Sequence, residues 1–120
     1  MALTTELVGK VLDGLFARQI THAQNIANVT AERPQFHAVS FEQELSALMR
    51  EPASESERLA RIRGFQPIVT LVAQPAQGDF RADLEVSKAG ENTLRYQMLV
   101  SMLDRTLQLH HSALTEGRSR

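Results

Sequence analysis

Apolar positions dominate the two ends of the chain at helical spacing, and the middle breaks that rhythm. From residue 4 to 30, Leu12, Phe16, Gln19, Ala23, Ile26 and Thr30 follow alternating steps of four and three, flanked by Leu15, Ile20 and Ala27. This spacing predicts an amphipathic helix with a coiled-coil-like seam. Thr4 is placed to cap it, and Glu6 puts negative charge in the first turn, where the helix dipole favours it. Gly9 and Gly14 each weaken the helix by about 1 kcal/mol relative to Ala, so its first half needs a packing partner. The rhythm returns from about residue 82 to 114. Tyr96, Leu99, Leu103, Thr106, His110 and Ala113 form one stripe, and Leu94, Met98, Met102 and Leu109 form a second beside it. A helical hairpin consumes one stripe per helix, so the second predicts another partner. Met98 and Met102, one turn apart, read as core, either within the chain or between chains. Gly90 is a weak point in this helix, and Gly117 is placed to stop it.

The middle carries shorter signals. Residues 31–39 read as a connector, because Pro34 biases Arg33 away from helix, with Phe36 and Val39 as buried anchors. Ser40-Phe41-Glu42-Gln43 has the form of a capping box. Phe41, Leu45, Leu48 and Met49 then predict a helix of about ten residues, ending before Pro52. EPASESERLARIR, residues 51–63, reads as a solvated loop, a marginal helical turn or a disordered stretch. FQPIVTLVA, residues 65–73, is the one β-like stretch: a strap, a hairpin arm or an element that pairs on assembly. The predicted fold is mainly α and one domain over residues 1–120. Elongated antiparallel N- and C-terminal helices are joined by a short middle helix and an irregular or β-like connector.

Composition narrows the function classes. Thirteen basic and fourteen acidic residues give a net charge of −1, which supplies no field to gather nucleic acid or an anionic membrane. The absence of cysteine excludes disulfides and thiolate metal sites. The first ten residues, MALTTELVGK, lack a basic segment followed by an apolar run, which predicts no cleavable secretory signal. The longest strongly apolar stretch, within residues 68–73, is too short to span a bilayer. The histidines are His22, His37, His110 and His111; the adjacent pair points about 100° apart on a helix, which does not converge on one metal. No nucleophile elbow or glycine-rich phosphate loop is present, and Glu55 and Glu57 lie in a polar segment ill-suited to shifting a carboxyl by burial. The expectation is a non-enzymatic chain with no cofactor, no metal site and no small-molecule substrate.

Two short stretches carry a resemblance. Asn25-Ile26-Ala27-Asn28 is similar to the N-I-A-N signature of bacterial flagellar rod and hook axial proteins, and Arg18 and Phe41-Glu42 fit the same spacing. Glu91 to Leu103, with Leu94-Arg95-Tyr96-Gln97, resembles the C-terminal helix of the proximal rod branch of that family. The likeness covers roughly residues 10–48 and 83–114. It departs at Ala31-Glu32-Arg33-Pro34, where the family continues T-P-G-Y, and at Gly78-Asp79, the nearest remnant of a D-G-N turn. The resemblance implies a structural subunit of the periplasmic rod, exported through the flagellar type III apparatus without a cleaved signal. Its partners would be other rod proteins, export-gate and basal-body components, and copies of itself. It implies assembly contacts at Leu12, Phe16, Ala23, Ile26, Leu94, Tyr96, Met98, Leu99, Met102 and Leu103. Asn25 and Asn28 are expected to fix a turn and a register rather than bind a ligand. The alternatives are a related flagellar or type III secretion axial paralogue, or a helical adaptor or chaperone.

Overall fold

A computed structural model describes residues 2–72 and 82–119, with side chains to residue 117. Gly78-Asp79 and the end of the β-like stretch lie outside the described residues. The elements in order are α1 (Ala2–Asn28), β1 (His37–Ser40), α2 (Glu42–Arg50), α3 (Glu55–Gly64), β2 (Ile68–Leu71) and α4 (Ala82–Ser119). The long terminal helices run antiparallel: His22 meets Glu85 at one end, and Asn92 meets Leu15 near the middle of α1. The body measures 67 × 30 × 16 Å with a radius of gyration of 18.6 Å. A compact chain of this length would have a radius of about 14 Å, so the fold is elongated, as the pattern predicts. Among the described residues no helix is long and apolar enough to cross a membrane.

The core sits where α1, β1 and α2 meet. Leu15, Val39, Phe41 and Leu45 form it, with Leu7, Val11, Ala17, Phe65, Tyr96 and Leu99 packed against them. Phe36 and Val39 are buried, as expected of the connector's anchors. The segment around them is more ordered than a connector. Residues 37–40 pair antiparallel with β2, His37 opposite Leu71 and Ser40 opposite Ile68. The β-like stretch therefore finds its partner within the chain. Four residues are too few to display a strand period, and the pairing is non-local, so no window of sequence contains it.

The middle helices correct two further expectations. Ser40 belongs to β1 and does not cap α2; its hydroxyl bonds Glu44 at 2.7 Å, while α2 begins with Leu45 N–H donating to the Phe41 carbonyl. Residues 55–64 form a full helix, α3, rather than a loop or marginal turn. Ser54 caps it by accepting from Glu57 N–H, Glu55 and Glu57 occupy its first turn, Arg61 and Arg63 its last, and Ile62 is completely buried. Charge matched to the dipole and one well-placed apolar side chain suffice here. Thr4 likewise lies inside α1, which starts at Ala2, and α1 stops at Asn28 rather than near residue 30.

The buried face of α1 is rotated from the predicted seam. Gly14, Leu15, Thr21 and Asn25 are buried, whereas Phe16 is 58% exposed, Ala23 is exposed, and Leu12 and Ile26 are half-buried. Gly14 explains the rotation. A Cβ there would stand 2.6 Å from Cε1 of Phe41, so the absence of a side chain is what lets the ring lie on the helix. Gly9 has nothing within 4 Å of the same position. The two glycines therefore predict opposite results. Gly14→Ala should destabilise by about 1–3 kcal/mol through overpacking, and Gly9→Ala should stabilise by about 0.5–1 kcal/mol. Urea denaturation of both variants checks this; equal shifts would refute the contact.

Candidate functional site

Two polar clusters fasten the helices, and several apolar surfaces are left uncovered. The first cluster centres on Arg18, half-buried on α1. Its guanidinium donates to both carboxylate oxygens of Glu42, at 2.9 and 2.6 Å, and to the Val39 carbonyl at 2.9 Å. It also lies 4.7 Å from the centroid of the Phe41 ring. A planar fork is needed to serve a carboxylate, a strand carbonyl and a ring face at once, which Lys cannot do. The hydrogen bonds from Arg18 hold the Glu42 carboxyl below its ordinary value of 4.5. Arg18 and Phe41-Glu42 are positions that carry the family resemblance, and the fold brings all three into contact.

The second cluster centres on Asn25, 4% exposed. Its Oδ1 accepts from His37 N–H at 3.0 Å and its Nδ2 donates to the His37 carbonyl at 2.8 Å, so one side chain satisfies both backbone groups of the first residue of β1. The same Nδ2 lies 2.9 Å from Glu85 Oε1, and His22 Nδ1 lies 2.6 Å from that oxygen. An ionised carboxylate only accepts, so the imidazole carries a proton on Nδ1. Burial pushes the Glu85 carboxyl up, but the hydrogen bonds from His22 and Asn25, with the charges of His22 and Lys88, together outweigh it, and the net direction is down from 4.5. Asn28 makes a looser, exposed contact, Nδ2 to the Gln35 carbonyl at 3.3 Å. Farther along, Asn92 donates to the Leu15 carbonyl at 2.8 Å and to Gln19 at 3.0 Å. Glu85 and Asn92 were not singled out by sequence, because a polar residue on a helix shows no sign of burial until its partner is known.

No protein-family model, curated protein or solved structure matches this chain. Of the residues named for assembly, Tyr96, Leu99 and Leu103 are half-buried, with Tyr96 and Leu99 packed on the core. Leu94, Met98 and Met102 are not core side chains of the chain itself: they are 61%, 64% and 61% exposed, and Leu109 is 66% exposed. An apolar groove of about 320 Å³ runs beside this stripe, lined by Val11, Leu15, Phe41, Met98, Leu99 and Met102 with Glu42 and Arg95. A second, of about 330 Å³, lies between α1 and α2 along Leu7, Val11, Phe41, Leu45 and Met49. Phe16 lines a smaller pocket of about 190 Å³ with Gln19, Asn92, Thr93 and Tyr96. The histidines are dispersed: His22 bonds Glu85, His37 starts β1, and His110 and His111 are exposed on α4. Among the described residues no three metal-ligating side chains converge.

Two measurements test the clusters. Asn25→Ala leaves the His37 N–H without its acceptor and should lower stability by about 1–3 kcal/mol, whereas Asn28→Ala should stay within about 0.5 kcal/mol of the parent by denaturant unfolding. The Arg18–Glu42 pair supplies stability that is full above pH 4.5 and lost as pH falls through the lower folded-state value. Acid titration of Glu42→Gln should therefore show a shallower loss below that pH than the parent; parallel curves would remove the pair as a contributor.

Proposed function

We propose that the chain is a structural subunit of the bacterial flagellar basal-body rod, of the proximal FlgB type, which polymerises with copies of itself and with other rod proteins. The observation that carries this reading is the unpartnered apolar stripe Leu94, Met98, Met102 and Leu109 on a 38-residue helix of a body 67 Å long. Large apolar side chains spaced over several turns are unfavourable in water and are expected to be covered by other chains. The far end of α4 extends the same demand, with Leu107 43% and Leu114 53% exposed. By pairing with β1, Asn25 also gives the N-I-A-N stretch a physical task. Repetition of a heterologous contact that does not close produces an open helical polymer rather than a discrete oligomer. In this reading the subunit leaves the cytoplasm through the flagellar export gate and resides in the periplasmic rod.

The protein is expected in purified hook–basal-body particles and retained in the cytoplasm when the export gate is disrupted. The double variant Met98→Glu, Met102→Glu should lose incorporation while its circular dichroism spectrum stays that of the parent. A soluble cytoplasmic pool, with none in intact particles, would overturn the rod reading in favour of a helical adaptor.

A further inference from the structure

The first ten residues of α4 are attached differently from those that follow. Between Ala82 and Glu91, Glu85 is the one buried side chain; its neighbours Leu84 and Val86 are 46% and 55% exposed. Beyond them Asn92 is buried, and Tyr96 and Leu99 pack on the core. Apolar burial thus fastens α4 from its middle, and in the preceding turns the buried contact with α1 is made by the Glu85 carboxylate. That carboxylate is held from α1 by His22 and Asn25, and Asn25 in turn holds the backbone of β1 at His37. The charged groups around it are Lys88 on its own helix, and Arg18, Glu91 and Arg95, which line the adjoining cleft with His22.

We propose that Glu85 is a latch, whose neutralisation releases the N-terminal turns of α4 from α1 while the core around Phe41 stays folded. An ionised carboxylate accepts strongly from both facing donors; a protonated one loses that charge and adds an O–H donor facing two others. A charged imidazole at His22 would tighten the contact, so opening requires the proton on Glu85 itself. The folded-state carboxyl titrates below its ordinary 4.5, so the latch is shut at neutral pH and opens in acid below that value. A segment fastened by polar contacts and little apolar burial belongs to the low-stability end of a fold and opens locally before the whole does. The latch follows from the contacts of Glu85 with His22 and Asn25 and is independent of the rod reading.

Hydrogen exchange of the full chain, followed by mass spectrometry, tests it. In Glu85→Gln at neutral pH, amides of residues 84–91 should exchange about tenfold faster or more, with residues 42–50 and 55–64 unchanged. The parent should show the same gain, after correction for intrinsic rates, as pH falls below 4.5, and Glu85→Gln should not gain further. Glu42→Gln should leave residues 84–91 protected at neutral pH. Unchanged protection of residues 84–91 in Glu85→Gln, or a simultaneous loss across all segments in the acidified parent, would overturn the latch.

Discussion

The seating of Phe41 on Gly14 is the contact from which the rest of the structure follows. The ring is 1% exposed and occupies the space a side chain would take on α1. Once it is there, the orientation of three elements is set. The strand β1 must end at Ser40, α2 must begin at Glu42, and the face of α1 that turns inward is the one bearing Gly14 and Leu15. Arg18 closes the arrangement from above the ring, joining α1 to Val39 and Glu42 through hydrogen bonds that a burial-driven contact alone would not direct. Apolar burial supplies the drive, and the guanidinium supplies the geometry.

With that face committed, the long helices meet through a sparse set of contacts. Near the core they are apolar, through Leu15, Tyr96 and Leu99. Towards the other end they are polar, through Asn92, Asn25, His22 and Glu85. Asn25, His22 and Glu85 are joined to one another or to β1, and the Asn92 amide N–H groups reach Leu15 and Gln19 while its Oδ1 is buried without a hydrogen-bond partner; paired polar groups hold helices together rather than force them apart. The same choice leaves the remaining apolar residues of both helices facing outward. Surplus apolar surface on a helical hairpin is unfavourable for an isolated chain and useful to one that is built into something larger. The rod proposal rests on that balance and on the resemblance of two short motifs.

Much of this was legible in the sequence. Helical spacing at the two ends, a proline-limited middle helix, and the surplus of apolar stripes on α4 come from local patterns, and local patterns specify helices because backbone bonds close within four residues. The buried anchors Phe36 and Val39 were visible as lone large side chains in a polar connector. The S-x-x-E at Ser54–Glu57 is itself a helix-start signal, masked by the charge of the segment around it.

What tertiary structure decided was which of two comparable faces of α1 turns inward, and which polar residues go with it. The four-three seam through Phe16 has the stronger hydrophobic pattern, yet the face with Gly14, Thr21 and Asn25 is buried, because only there can an aromatic ring approach the backbone and a strand be pinned by an amide. The pairing of β1 with β2 and the roles of Glu85 and Asn92 were settled the same way. Each depends on residues 28 or more positions apart in the chain, and nothing in either partner's neighbourhood announces the other. Sequence determined that this chain makes long amphipathic helices with more apolar surface than one hairpin can bury; packing around one glycine determined which part of that surface the chain keeps for itself.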